Sequence, residues 1–189
     1  MPGYFTDDQA RSIILDTYGQ ARSESTAVAE ALYSPEELAA LPRGAVELAL
    51  GVGHPVRFAG LQVGDVVLDL GCGAGIDTLL AARAVGPTGQ VIGLDMTPAM
   101  VDRARKHASL TGAAHVEIRE GQMEEIPLPD ASVDVIVSNG VLNLSTRKSR
   151  AIAEMTRVLR SGGRIAIADL VLTERLPEDV LKSPAALAG

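Results

Sequence analysis

The sequence of 189 residues contains a single cysteine, Cys72, no tryptophan and only 3% aromatic residues. One thiol can form neither an internal disulfide nor a zinc site, so we expect a reducing, cytoplasmic location and no metal centre. The scarcity of aromatic side chains argues against a surface on which nucleic-acid bases stack.

Positive charge and long apolar runs are also scarce. The 17 Lys and Arg residues are outnumbered by 24 Asp and Glu residues, and the net charge of −7 argues against DNA or RNA as a partner. No apolar run reaches the roughly 18 residues of a membrane span, and the start of the chain lacks the charge pattern of a signal peptide, so no membrane partner is expected. Hydrophobic residues make up 47% of the chain, which suits one folded domain with a genuine core.

The stretch from Val66 to Gly75, VVLDLGCGAG, is the most informative part of the chain. Its short apolar run predicts a strand buried on both faces. Gly71, Gly73 and Gly75 then predict a turn on which a ligand can lie directly against the backbone. A helix is predicted from Ile76 to about Val85, and the N–H groups at its start favour a carboxylate or phosphate.

A second apolar stretch, Gln90 to Asp95, predicts a strand that ends in an acid. Asp95 is then placed to accept both hydroxyls of a ribose. Ile76 stands where the dinucleotide fingerprint needs glycine or alanine, which disfavours a nicotinamide cofactor. The glycine turn, the helix and the acid together indicate a nucleoside that carries a carboxylate tail.

Strands and helices alternate from Gln62 onward, which predicts an α/β fold: a mostly parallel sheet of about five strands with helices on both faces. The later predicted elements are strands at 115–120, 133–137 and 164–171, a helix from Pro98, and a helix with Ile152, Met155 and Leu159 on its apolar side. Ser161-Gly162-Gly163 is predicted to close that last helix as a C-cap and turn. His107 and His115 are predicted at the surface.

Residues 1–60 are predicted to form a helical cap of the same domain, 61–175 the core, and 176–189 a short tail. The cap is expected to contain a helix from Asp7 to Tyr18 that Gly19 ends, and a capping box at Ser34 to Glu37. Gly51 to Pro55 is a loop with two interpretations: it either only covers the edge of the sheet or forms a wall of the active site.

Over roughly residues 45–175 the sequence resembles the class I S-adenosylmethionine-dependent methyltransferases. Five separated motifs agree with that superfamily in their order and spacing. The motifs are LDLGCGAG at 68–75, Asp95, 121–127, Ser138-Asn139, and LRSGG at 159–163. Within that superfamily the sequence is most similar to arsenite methyltransferases. That likeness lies in GVGHP at 51–55, VGPTG at 85–89, DMTP at 95–98 and SNGVLNL at 138–144.

The resemblance implies a Rossmann-like fold, S-adenosylmethionine as the cofactor, and a set of cofactor contacts. These are Asp69, Gly71, Gly73, Gly75, Asp95, Met96, Gln122, Met123, Ser138 and Asn139. Asp95 is expected at the ribose, Gln122 at the adenine edge, and Met96 and Met123 as adenine walls, although Met123 could equally be core. Asp69 either balances the ligand's ammonium group or holds the loop through backbone hydrogen bonds.

The substrate side departs from the arsenite methyltransferases, which bind trivalent arsenic through cysteine thiolates. The matching positions here are Val52 and Gly140, and Cys72 lies inside the cofactor loop. We therefore expect in-line methyl transfer to a small-molecule acceptor other than arsenite, with His54 and Asn143 as candidate catalytic residues. For His54 the alternative is a loop histidine bonded to backbone.

Two other functions stay open. The chain could cleave a different carbon–sulfur bond and release methylthioadenosine, or it could be a cofactor-binding subunit that needs a partner chain. Proteins of this class usually have two strands after the fifth, and only Leu172 to Gly189 follow here. An unpaired sheet edge predicts a homodimer or a partner chain that covers it, the alternative being a shortened chain.

Overall fold

The computed structural model describes residues 4–22, 25–174 and 176–187. Within these residues five strands form one sheet in the order β3-β2-β1-β4-β5. The strands are β1 (Val66–Leu70), β2 (Gln90–Asp95), β3 (Val116–Glu120), β4 (Val133–Asn139) and β5 (Leu159–Ala168). Every pair of neighbours is parallel, and the strand order reverses on either side of β1. In such sheets ligands bind beyond the carboxyl ends of the strands at this switch point.

Short helices precede the sheet, as predicted for the start of the chain. They are α1 (Asp7–Gly19), α2 (Ala27–Leu32), α3 (Pro35–Ala39), α4 (Arg43–Glu47) and α5 (Pro55–Phe58). The predicted capping box is present, because the Ser34 hydroxyl accepts from the Glu37 N–H and the Glu37 side chain accepts from the Ser34 N–H. Helix α1 ends at Gly19, as expected.

Longer helices connect the strands and flank both faces of the sheet. They are α6 (Ile76–Val85), α7 (Pro98–Thr111) and α8 (Lys148–Val158), and the tail contains α9 (Glu178–Leu181) and α10 (Pro184–Leu187). The connection from β3 to β4 carries no helix within the described residues. The predicted α/β architecture is confirmed.

The core lies in two layers because alternate residues of each strand face opposite sides. Leu68 and Leu70 of β1 pack on one face with Met155 of α8. Val67 of the same strand packs on the other face with Ala81 of α6. The sheet is thus buried on both sides at its centre, and β1 is held rigidly where its carboxyl end meets the glycine turn.

The predicted turn at Ser161-Gly162-Gly163 is wrong. Helix α8 ends at Val158, the last position buried in its core layer, and Leu159 already pairs with Val133 as part of β5. The next residue of β5 to pair with β4 is Arg164, opposite Val135, so 160–163 form an irregularity inside the strand. Strand β5 also ends at Ala168, three residues earlier than expected.

Two side-chain placements also differ from the prediction. Ile152 is exposed, because the buried side of α8 is Ala151, Glu154, Met155 and Val158. His107 is buried, since it follows Met100 by two turns of α7 and shares its inner face. Its Nδ1 lies 2.8 Å from the carbonyl oxygen of Ala74, so it supports the glycine turn.

Strand β5 is the exposed edge of the sheet. Ile165 and Ile167 are more than two-fifths exposed, and Leu170 to Leu172 beyond the strand are more exposed still. None of the described helices is both long enough and apolar enough to cross a membrane.

Candidate functional site

A cavity of about 140 Å3 opens at the carboxyl ends of β1, β2 and β4. Eight of the predicted cofactor contacts line it: Asp69, Gly71, Gly73, Asp95, Met96, Gln122, Met123 and Asn139. The other predicted site residues, Gly75, Ser138, His54 and Asn143, do not line it. Helix α1 forms a further wall through Ala10, Ile14 and Tyr18.

The glycine turn adopts backbone conformations that side chains resist. Gly71 and Gly73 have φ angles of 78° and 51°, in the left-handed region that favours glycine. A Cβ placed on Gly71 would lie 2.4 Å from the γ-methyl groups of Val141, whereas a Cβ on Gly73 would meet no atom within 4 Å. Gly73 therefore presents bare backbone to the open cavity.

Asp95 fixes this turn from the tip of β2. One carboxylate oxygen accepts the Gly73 N–H at 2.9 Å, and the other accepts the Thr97 N–H at 2.8 Å. A carboxylate oxygen can accept more than one hydrogen bond, so both oxygens keep capacity for a ligand hydroxyl. Burial raises the pKa of Asp95.

Asp69 lies at the floor of the cavity and is 2% exposed. It accepts the hydroxyl hydrogen bond of Thr78 at 2.5 Å. One of its two predicted roles is to hold the loop through backbone hydrogen bonds, but the Gly73 N–H of the loop donates to Asp95. Burial, with the negative charge of Asp77 added, raises the pKa of Asp69 well above its usual range. A buried carboxylate of this kind gains from a cation placed beside it.

Asp77 lines the cavity but is missing from the predicted site. Its two oxygens accept from the Tyr33 hydroxyl at 3.0 Å and from the Asn139 amide at 2.8 Å, and burial raises its pKa. A signal was present: Asp77 is the one acid in a helix whose other residues are mostly apolar and buried. A charged group buried in such a helix needs a partner, which is either a hydrogen-bonding side chain or a bound ligand.

Asn139 ties the loop at 51–53 to the end of β4. Its Oδ1 accepts the N–H groups of Val52 and Gly53 at 2.8 and 3.1 Å, and its Nδ2 donates to the Gly53 carbonyl at 2.8 Å. Leu50 and Gly51 line the cavity, so the loop forms a wall and does more than cover the sheet.

Helix α1 closes the side of the cavity that holds Gln122. Arg11 donates to Oε1 of Gln122 at 2.7 Å, and Asp7 accepts the Thr146 hydroxyl at 2.6 Å. Burial and the charge of Asp95 raise the pKa of Tyr18, which lies on the same wall. These contacts could not be found from the sequence, because they join residues more than 75 positions apart.

The family model described as "Methyltransferase domain" matches residues 61–188 of the chain. The chain belongs to the class I S-adenosylmethionine-dependent methyltransferase family. Among its relatives, the arsenite methyltransferase of Halobacterium salinarum is 46% identical over 157 residues, which cover 83% of this chain and 40% of that protein. The ubiquinone/menaquinone biosynthesis C-methyltransferase of a Marinomonas species is 36% identical over 132 residues, 69% of this chain and 51% of that protein.

The methyltransferase also resembles a solved structure, the arsenic(III) S-adenosylmethionine methyltransferase from Chlamydomonas reinhardtii. The TM-score is 0.66 at 35% identity, and the match covers 87% of this chain and 55% of that chain. The chain thus spans about half, or less, of the length of these relatives. Its similarity to the arsenite methyltransferases agrees with the motifs found in the sequence.

S-adenosylmethionine, the cofactor of this family, fits the cavity of the methyltransferase. The cofactor carries a sulfonium and an ammonium, and the cavity contains the buried carboxylates Asp69 and Asp77 and the partly buried Asp95. The bare backbone of Gly73 leaves the cavity open to a ligand. Within the described residues no group of three or more His, Cys, Asp or Glu side chains could hold a metal ion.

Three further residues predicted for the site, Ser138, His54 and Asn143, lie outside the cavity. The Ser138 hydroxyl is buried and donates to the Leu70 carbonyl at 3.1 Å, so it joins β4 to β1. Nε2 of His54 lies 2.9 Å from Glu37 Oε1, and its Nδ1 accepts the Arg57 N–H at 3.4 Å. These contacts favour the alternative interpretation of His54, that of a loop histidine bonded to backbone.

Asn143 lies in a single 3-10 turn after β4, at 142–144. Its N–H donates to the Asp169 carboxylate at 3.0 Å. Its Oδ1 is buried and has no hydrogen-bond partner among the described residues. Cys72 of the methyltransferase is buried beside Val101 and Ala104, and burial raises the pKa of its thiol well above the usual value, as suits a small core residue.

Proposed function

We propose that this methyltransferase binds S-adenosylmethionine in the cavity and transfers its methyl group to a small-molecule acceptor. The observation that carries the proposal is the meeting of Gly73, Asp95 and Asp69 in one cavity under helix α1. A nucleoside with a positively charged tail needs a bare backbone surface, an acceptor for its ribose and negative charge near its cation. All three lie within the same cleft.

The proposed contacts divide along the cavity. Asp95 accepts the ribose hydroxyls, Gln122 and the two methionines Met96 and Met123 border the adenine, and Asp69 faces the charged tail. The sulfonium of S-adenosylmethionine supplies a methyl group on an already activated leaving group. The chain itself has to bind, align and exclude water.

Helix α1 is proposed to exclude water from the cavity. Ala10 and Ile14 are buried on it, and Arg11 and Asp7 connect it to the far wall. No histidine lines the cavity within the described residues. We therefore propose that the acceptor arrives as a competent nucleophile and that neither His54 nor Asn143 acts as a base. His54 holds the surrounding loop through Glu37 and the Arg57 N–H.

Arsenite is not the proposed acceptor. The Cβ of a residue at position 140 would lie 3.5 Å from Cγ1 of Val52, so the two positions face each other, but neither carries a thiol. Gly140 has a φ of 69°, which would strain a cysteine there. Trivalent arsenic needs soft thiolate ligands, and the buried Cys72 is not placed among these residues.

Product analysis tests the proposed reaction against its alternatives. The purified chain is incubated with S-adenosylmethionine and pools of small-molecule acceptors, and the nucleoside products are separated. S-adenosylhomocysteine that requires acceptor supports methyl transfer. Methylthioadenosine would indicate cleavage of a different carbon–sulfur bond, and tight binding without turnover would indicate a cofactor-binding subunit.

We also propose that the exposed side of β5 is covered by a second copy of the chain or by another polypeptide. Ile165 and Ile167 are partly exposed on a strand with no partner on its outer edge within the described residues, and such edges favour pairing. Light scattering of the purified protein should show a dimer if a second copy is the cover. A monomer at all concentrations would contradict self-association.

The domain division expected from the sequence belongs to the same proposal. A cap at 1–60, a core at 61–175 and a tail at 176–189 form one unit, which is supported by the contact of α10 with α1. The cytoplasmic location stays a prediction from the single cysteine.

A further inference from the structure

A group of apolar residues lies beside the glycine turn, where the loop at 51–53 meets the end of β4. It consists of Leu50, Val52, Gly140 and Val141, here named the apolar wall. Val141 packs directly on Gly71, because a Cβ on Gly71 would lie 2.4 Å from both Val141 γ-methyl groups. Val52 lies beside Gly140, since a Cβ built on Gly140 would lie 3.5 Å from Cγ1 of Val52. Leu50, Gly140 and Val141 line the cavity itself.

The apolar wall is only partly covered. Leu50 is 46% exposed and Val52 is 39% exposed, although both lie on a loop held firmly by Asn139. An apolar surface at the rim of a cavity, supported by a fixed backbone, is typical of a ligand site.

The polar groups beside the wall are already used. The side-chain amide of Asn139 is hydrogen-bonded to Val52, Gly53, Asp77 and Tyr33. The two carboxylate oxygens of Asp77 accept from Tyr33 and Asn139. An acceptor on this side therefore meets methyl and methylene groups, with no free donor from these side chains.

The charge of the cavity disfavours anions. Among the residues that the structure describes, five acidic and two basic side chains line it. The two basic side chains are engaged, since Arg11 donates to Gln122 and Arg147 pairs with Asp7 at 3.6 Å. Apart from the positive groups of a bound cofactor, an anionic acceptor would meet no free cation among the described lining residues, and it would enter an excess of acidic groups.

We infer that the apolar wall is the acceptor subsite, and that it takes an uncharged molecule with an apolar body. The inference rests on the proposed methyl transfer and narrows its substrate class. Val52 and Leu50 are specificity-determining residues in this arrangement, and Gly140 leaves room beside them.

Binding of two matched probes tests the inference. 2-Naphthol and naphthalene-2-sulfonate share a ring system and differ in charge, and each is titrated into the protein with and without S-adenosylhomocysteine. The neutral probe should bind at least about tenfold more tightly than the anion. Val52→Ser should weaken 2-naphthol binding at least about fivefold, since it removes apolar contact, and should leave S-adenosylhomocysteine binding unchanged.

Val63→Ser is the matched control, because Val63 is 76% exposed and precedes β1 at the opposite end of the sheet. Its binding of 2-naphthol should equal that of the wild type. Equal binding of the two probes, or equal effects of the two substitutions, would overturn the inference. Failure of S-adenosylhomocysteine to bind would instead refute the proposed function. The titrations without S-adenosylhomocysteine would still test whether the apolar wall binds the neutral probe.

Discussion

At the residue scale, the site depends on two unusual environments, a glycine turn with positive φ angles and a group of buried carboxylates. Gly73 leaves the backbone bare towards the cavity, and Asp95 holds that backbone in place. Asp69 and Asp77 are buried near each other, and burial raises both pKa values. Such carboxylates cost stability in the free protein and become favourable when a cation is bound.

The glycine turn yields the first prediction. Gly73→Ala should lower the affinity for S-adenosylmethionine at least about tenfold, because the added methyl group projects into the cavity. Gly112→Ala is the control: Gly112 has a φ of 66° against 51° for Gly73, and an added Cβ would meet no atom within 4 Å at either position. Both variants should lose about 1 kcal/mol of unfolding free energy. Equal cofactor affinities, measured by calorimetry, would contradict the role of Gly73.

Asp69 yields a prediction about pH. Its pKa is higher in the folded chain than in the unfolded chain. Its contribution to stability is therefore full below the unfolded value of about 4 and is lost as the pH rises towards the folded value. Asp69→Asn cannot ionise, so its free protein should gain stability relative to the wild type as the pH rises from about 4 towards 8.

Urea unfolding of the ligand-free protein across a pH series measures this difference. Asp102→Asn is the control, because the Asp102 side chain is 79% exposed, and it should follow the wild type. A gain for Asp69→Asn that does not change with pH would show that the carboxylate does not titrate as argued.

At the element scale, the loop at 51–53 and helix α1 complete a site that the strand ends begin. The strands, the glycine turn and the acid at the tip of β2 could be predicted, because their signals are local: apolar runs, alternate glycines and a terminal acid. The positions of α1, Asp77 and Tyr33 could not, since they depend on contacts between distant segments. The irregularity at 160–163 was missed because Gly162 and Gly163 equally suit a helix end and a strand bulge.

The attachment of the loop to β4 yields the third prediction. Asn139→Ala should lower the free energy of unfolding by about 1–3 kcal/mol, because it leaves the N–H groups of Val52 and Gly53 and one oxygen of the Asp77 carboxylate without their side-chain partner. Asn143→Ala should change it by less than about 0.5 kcal/mol, because the Asn143 Oδ1 has no partner to lose among the described residues. Urea unfolding compares the two variants, and similar losses would refute this account of the loop.

At the scale of the whole molecule, a five-stranded sheet places its ligand cavity at one end and an exposed apolar edge at its side. The mostly parallel sheet and the methyltransferase family followed from the sequence, because strands and helices alternated and five motifs kept their order and spacing. The acceptor could not be identified in the same way, since Val52 and Gly140 indicate only that the cysteine ligands of arsenic are absent at these two positions. Its proposed character came from the apolar wall, which exists only after the loop and β4 meet.

Titration of S-adenosylmethionine into the purified protein, followed by calorimetry, tests the central claim most directly. Saturable binding at one site is predicted for the wild type and for Asp102→Ala. Asp95→Ala should lose at least about tenfold in affinity, because its carboxylate accepts the ribose and holds Gly73. No heat of binding with the folded wild type, or equal affinity in Asp95→Ala, would contradict the account.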